Sequence, residues 1–124
     1  AYAKIWTEQG SPLLSISREQ AAAIELAMNT EAPGSIKIEL AMRYGSPSIE
    51  AGLAALQQQG VKKIVVLPLY PQYSATTTAS TFDAVGEALR QQPDLPELRF
   101  INHYYEHPAF ISALAESVRE HWAE

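Results

Sequence analysis

The segment from Ile64 to Thr81 constrains the fold of this chain more than any other part of the sequence. It begins with an almost unbroken apolar run, Ile64–Leu69, which is typical of a buried strand in a parallel sheet. Prolines and tyrosines follow, and six serine or threonine residues then fall between Ser74 and Thr81. A helical pattern covers residues 77–91. A strand that leads into a polar loop at a helix N-terminus is the place where open α/β sheets bind ligands.

Helical and strand patterns alternate along the rest of the chain. The predicted elements are a helix Pro12–Thr30 with Ser11 at its N-cap, a strand Ile36–Tyr44, a helix capped by Ser48 and ended by Gly60, the strand Ile64–Leu69, a helix Thr77–Gln91, a strand Leu98–Tyr104 and a helix that begins at Pro108. This alternation predicts an α/β fold: a three-layer α/β/α domain with a parallel sheet of three strands, formed by residues 1–124 as a single domain.

Composition removes several classes of function. The 124 residues include no cysteine, which excludes disulfides and thiolate metal sites and fits a reducing compartment, so we expect a cytoplasmic location. The formal net charge is −5 and basic residues are scattered, so nucleic acid is not an expected partner. No apolar run approaches the roughly 20 residues that a membrane-spanning helix needs.

The loop after Leu69 has the chemistry of a site for a flat, acidic ligand. Tyr70 and Tyr73 offer apolar ring faces with polar tips, and Ser74 adds a hydroxyl beside the N–H groups of the following helix, where anions are favoured. A porphyrin with its propionates fits that description. The alternative is structural: Ser74 or Thr76 caps the helix and the tyrosines pack in the core.

Arg43 and Tyr44 end the first predicted strand, before a Gly-Ser-Pro turn. An arginine there can pair with a ligand carboxylate, and a tyrosine can stack or hydrogen-bond. The alternative is a surface arginine paired with a nearby glutamate. His103 and His107 are four residues apart, but Pro108 follows at once, so the helical spacing of a two-histidine metal site does not apply.

Three segments, in order, resemble the signatures of ferrochelatases, which insert ferrous iron into a porphyrin to make haem. They are Tyr2 through Gly10-Ser11-Pro12-Leu13, Ala41-Met42-Arg43-Tyr44-Gly45-Ser46-Pro47, and the Leu67–Ser80 segment with its Tyr-Pro-Gln-Tyr-Ser string. The resemblance implies most of the N-terminal half of a two-domain enzyme. It also implies a chelatase-like, flavodoxin-like sheet whose first strand would precede Ala1.

The resemblance further implies a role for particular residues. The positions that match porphyrin-contacting residues of the family are Tyr2, Ser11, Arg43, Tyr44, Tyr70, Tyr73, Ser74 and Thr81. No catalytic residue is expected among the 124, because the family's catalytic His, in a Ser-x-His-Gly-x-Pro motif, would lie beyond Glu124 and the catalytic Glu in the second domain. The isolated chain is therefore expected to be inactive. Some members ligate an iron–sulfur cluster through a cysteine where this chain has Ala75, so we expect no cofactor.

The implied substrates are Fe²⁺ and protoporphyrin IX or coproporphyrin III, and the implied partner is the C-terminal domain of the parent enzyme. Apolar surface left uncovered without that domain predicts that the chain forms a homo-oligomer. Two alternatives stay open: a related chelatase that inserts cobalt or nickel into a tetrapyrrole, and a non-catalytic porphyrin-binding module.

Overall fold

The computed structural model describes residues 2–124, with the side chains from Lys4 onward. The chain divides into two compact units, Ala1–Val61 and Lys62–Glu124. Each unit has its own hydrophobic core residues, among them Ile49 and Leu53 in the first and Ile64, Val85, Ala88 and Leu89 in the second.

The first unit carries two α-helices among its described residues. A 3-10 helix, Tyr2–Ile5, is followed by helix α1, Pro12–Glu31, and helix α2, Ile49–Gln58. Ser48 caps α2 as predicted, because its Oγ accepts the N–H of Ala51 at 3.1 Å. Gly60 ends α2 with φ 75°, and its N–H donates to the Gln57 carbonyl at 2.9 Å. The predicted limits of both helices are thus confirmed to within two residues.

The strand predicted at Ile36–Tyr44 does not form as a paired strand among the described residues. Burial alternates along residues 36–42, with Ile36, Ile38 and Leu40 half-buried and the residues between them exposed, as in a strand with one covered face. The pairing of this region is limited to an isolated bridge between Met42 and Ser48. A side-chain pattern can specify a strand's covered face, but a ladder also needs a neighbouring backbone in register. The three-stranded sheet is therefore not confirmed.

The second unit contains the sheet. Strand β1, Lys63–Val66, and strand β2, Glu97–Phe100, lie parallel and form a two-stranded sheet within the described part of the chain. Lys63 lies opposite Glu97 in the register, and their side chains form an exposed ion pair at 3.5 Å. Two of the predicted strands and their parallel direction are thus confirmed, although both strands are shorter than predicted.

Two helices complete the second unit as far as it is described. A π-helical turn, Ala75–Ala79, leads directly into helix α3, Ser80–Arg90, and helix α4 spans Pro108–Ala123. The ring of Phe82 on α3 meets the ring of Phe100 on β2 edge to face, with centroids 5.2 Å apart, so α3 packs against the sheet. No helix among residues 2–124 is long and apolar enough to cross a membrane.

Candidate ligand-binding site

The loop between β1 and the π-helical turn presents its aromatic residues to solvent. Pro68 is buried and Pro71 is half-buried, whereas Tyr70 is 40% and Tyr73 59% exposed. The tyrosines therefore do not pack in the core, which was the structural alternative. Exposed rings on a proline-anchored loop are available to stack on a flat ligand.

The hydroxyl of Ser74 makes hydrogen bonds to side chains and none to the helix backbone. Ser74 occupies the N-cap position of the π-helical turn, yet its side chain does not cap. Its Oγ lies 3.1 Å from the Thr76 Oγ1 and 2.8 Å from the Thr77 Oγ1. The three hydroxyls form a cluster at the start of the helix, where the helix dipole favours negative charge.

The cluster continues one turn into the helix. The Thr81 hydroxyl donates to the Thr77 carbonyl at 2.9 Å, so its proton is already used and its oxygen remains as an acceptor. Thr78 is 1% exposed, and its Oγ1 has no hydrogen-bond partner among the described residues. Two of the predicted residues, Ser74 and Thr81, therefore both hydrogen-bond to Thr77. Because the Thr81 hydroxyl already donates its proton, it is not a donor to a ligand in this arrangement.

In the first unit, a closed loop presents Arg43 and Tyr44. The Met42 N–H donates to the Pro47 carbonyl at 2.7 Å and closes the loop, and Gly45 at its tip has φ 89°, a conformation that favours glycine. The Arg43 guanidinium carbon lies 4.5 Å from the centroid of the Tyr44 ring. Arg43 is half-buried and Tyr44 is 75% exposed, so the ring supports the cation and faces solvent.

Ser11 begins helix α1 without capping it through its side chain. A tight turn precedes it, in which Thr7 and Gly10 exchange backbone hydrogen bonds of 3.0 and 2.9 Å. Ser11 is the N-cap residue and Pro12 is the first helical residue, as predicted, but the Ser11 hydroxyl makes no capping hydrogen bond. The side chain of Tyr2 lies outside the described residues.

The histidines after β2 have structural contacts. The Nδ1 atom of His107 accepts the Ala109 N–H at 3.2 Å and caps α4, and the His103 ring lies 5.1 Å from the Tyr105 ring. Over the described residues, no group of three or more His, Cys, Asp or Glu side chains could hold a metal ion.

Sequence reasoning missed the contact that holds the tyrosine loop. The Pro71 carbonyl accepts the N–H groups of Tyr104, at 2.9 Å, and Tyr105, at 3.1 Å. Burial raises the pKa of the Tyr104 phenol. Both hydrogen bonds to Pro71 come from backbone amides that follow strand β2, so no side-chain motif could have indicated them.

The similarity to known proteins extends along the whole chain. The Ferrochelatase family model matches residues 1–124. Ferrochelatases from Photobacterium profundum and Vibrio cholerae are each 54% identical over 123 residues, 99% of this chain. The match covers 36% and 37% of the length of these two relatives. A ferrochelatase from Thioalkalivibrio sulfidiphilus is 51% identical over 121 residues, and the match covers 33% of its length. The chain thus spans about a third of the length of these curated relatives.

Proposed function

The chain belongs to the ferrochelatase family, and from that premise we propose that it supplies one wall of a porphyrin cleft in an enzyme that inserts Fe²⁺ into a porphyrin during haem synthesis. The observation that carries the proposal is the match of the whole chain to the family at about half identity. The exposed tyrosines and the hydroxyl cluster support it, because they offer surfaces suited to both parts of a porphyrin.

Each group in the wall has a distinct task. The rings of Tyr70 and Tyr73 cover part of the apolar macrocycle. The Ser74 hydroxyl and the N–H groups of the adjacent helix N-terminus donate hydrogen bonds to a propionate. Arg43, in the first unit, is suited to pair with a carboxylate, a contact that charge strengthens and that the Tyr44 ring helps to orient. Protoporphyrin IX and coproporphyrin III both carry propionates, so this wall suits either.

The chemistry of insertion needs groups beyond this wall. Two pyrrole N–H protons must leave the macrocycle as Fe²⁺ enters, and a base must accept them. The Ser-x-His-Gly-x-Pro motif of the family does not occur in these residues, so the wall binds and orients the porphyrin while the base comes from elsewhere in the enzyme. By itself the chain is therefore expected to bind porphyrin weakly and to form no metalloporphyrin.

A C-terminal domain closes the cleft from the other side, and the enzyme works in the cytoplasm. These residues hold no iron–sulfur cluster through cysteine, since Ala75 stands at the position of the cluster cysteine and the chain has no cysteine. Ferrochelatases from several bacteria match at about half identity, which favours iron over cobalt or nickel as the inserted metal.

A chimera provides the test. Residues 1–124 replace the matching third of the Photobacterium profundum ferrochelatase, and metalloporphyrin formation is measured with Fe²⁺, Co²⁺ and Ni²⁺. We expect iron insertion within about tenfold of the unmodified relative, because the replaced wall keeps the contacts that hold the porphyrin. A folded chimera that binds no porphyrin would contradict the proposal. Binding without insertion of any metal would favour the non-catalytic module, and preference for cobalt or nickel the related chelatase.

A further inference from the structure

The loop that carries Tyr70 and Tyr73 is tied to a distant part of the chain by hydrogen bonds to one backbone atom. Within the described residues, the backbone–backbone hydrogen bonds that join residues 67–73 to the rest of the chain are those that the Pro71 carbonyl accepts from the N–H groups of Tyr104 and Tyr105, at 2.9 and 3.1 Å. Pro71 lies between the two exposed tyrosines. A shift of Pro71 would therefore move both rings.

Packing against α4 keeps these two amides in place. The ring of Tyr104 meets the ring of Phe110 edge to face, with centroids 5.3 Å apart and planes at 89°, and both residues are half-buried. The His107 N–H donates to the Tyr104 carbonyl at 3.1 Å, which closes the turn between β2 and α4. The two amides therefore belong to a turn that is packed on one side and capped at its end.

We propose that Tyr104 is a positioning residue for the porphyrin-binding loop: its ring, packed on Phe110, fixes the turn whose amides hold Pro71, and so sets where Tyr70 and Tyr73 lie. The identity of the ligand as a porphyrin rests on the proposed function. The hydrogen bonds to Pro71 do not depend on that function and can be measured separately.

Pre-organisation explains why such a contact affects binding. A loop that moves in the free protein must be ordered when the ligand binds, and that ordering lowers the affinity. Loss of the Tyr104 ring should therefore weaken porphyrin binding by about threefold to tenfold, the range expected for ordering one or two side chains. The ring provides the packing and the phenolic hydroxyl does not, so phenylalanine should serve as well as tyrosine.

The experiment compares Tyr104→Leu with Tyr104→Phe in this chain. Hydrogen exchange at the amides of residues 104 and 105 reports the contact with Pro71, and fluorescence titration with coproporphyrin III reports binding. We expect Tyr104→Leu to speed exchange at both amides and to weaken binding, and Tyr104→Phe to restore both to the unmodified values. Phe110→Leu removes the same ring pair from the other side and should reproduce the effect, which provides a second variant if Tyr104→Leu does not fold.

Phe82→Leu is the matched control. It removes the other edge-to-face pair of the same unit, with Phe100, and should lower the stability of the unit without changing exchange at residues 104 and 105 relative to its other amides. Faster exchange in Tyr104→Leu with unchanged affinity would overturn the positioning role, as would an equal loss of affinity in Phe82→Leu. If the unmodified chain binds no porphyrin, the proposed function fails instead. Unchanged exchange in Tyr104→Leu would overturn the inference, because it would show that the ring does not fix the turn.

Discussion

The Ser74 Oγ and the Thr77 Oγ1 lie 2.8 Å apart, so the residue at the start of the helix bonds to a neighbouring side chain and not to the helix backbone. Ser48 shows the usual arrangement in the same protein, with its Oγ accepting the N–H of Ala51. The two serines occupy equivalent positions in the sequence pattern and have different partners. The Ser74 hydroxyl therefore belongs to a cluster of side-chain hydroxyls, whereas the Ser48 hydroxyl stabilises its helix by capping it.

Alanine substitutions should distinguish Ser48, whose side chain caps a helix, from Ser11, whose side chain does not. Ser48→Ala should lower the free energy of unfolding by about 1 kcal/mol, because it removes a helix cap. Ser11→Ala should change it by at most a few tenths of a kcal/mol, since the Ser11 hydroxyl makes no capping bond. Urea unfolding followed by circular dichroism measures both. Equal losses for the two variants would show that Ser11 does cap α1 in solution.

The charge of Arg43 should matter for acidic porphyrins. Arg43→Ala should weaken binding of coproporphyrin III by about tenfold, equivalent to the roughly 1.5 kcal/mol of a charged hydrogen bond. Binding of the methyl ester of that porphyrin should change by less than about twofold, because the ester has no carboxylate to pair. Arg99→Ala, at an exposed arginine beside Glu97, is the control. Equal losses for acid and ester would mean that Arg43 does not contact a carboxylate.

Two helical glycines should respond differently to a larger side chain. A Cβ at Gly52 would lie 3.3 Å from the Cβ of Ala41, whereas a Cβ at Gly86 would have nothing within 4 Å. Gly52→Leu should therefore lower the free energy of unfolding by about 1–3 kcal/mol through overpacking. Gly86→Leu should raise it by a few tenths to about 1 kcal/mol, because leucine favours the helix more than glycine does. A stabilised Gly52→Leu variant would show that α2 does not lie close to Ala41.

Tyr104 should make stability depend on alkaline pH. Burial raises its pKa in the folded state above the ordinary value near 10. The folded state therefore binds this proton more tightly than the unfolded state. The contribution of this proton to stability is complete below the pKa that Tyr104 has in the unfolded state, and it is lost as the pH rises through the pKa of the folded state. From about pH 10 upward, the unmodified chain should lose more stability than Tyr104→Phe. Parallel pH profiles for the two proteins would contradict the assignment.

Helix α4 should promote self-association of the chain. Its residues Ile111, Leu114, Val118 and Trp122 recur at helical spacing and are 44–80% exposed. An apolar stripe of this kind favours contact with a second copy. Light scattering should give a mass above that of a monomer, and Leu114→Lys should shift it toward the monomer, whereas Glu116→Lys, off the stripe, should not. A strictly monomeric unmodified chain would refute this expectation.

Local sequence signals located most of the elements. Pro12 and Pro108 begin helices at the positions where proline is favoured, and Gly60 ends one where a left-handed residue is needed. These predictions succeeded because each depends on the conformation of a few adjacent residues. The start of α3 was predicted too early: α3 begins at Ser80, and the predicted first residue, Thr77, lies in the π-helical turn Ala75–Ala79.

Only the tertiary structure determined which residues, distant in the sequence, become hydrogen-bond partners. The amino-acid pattern alone determined the helices, the parallel strands at Ile64 and Leu98, and the family signature around Tyr70. It did not determine that residues 36–41 lack a paired neighbour in the described structure, or that the Pro71 carbonyl accepts the amides of Tyr104 and Tyr105. Backbone hydrogen bonds between distant segments carry no side-chain signature, because every residue except proline offers the same N–H and C=O groups. Which of them meet depends on how the elements pack.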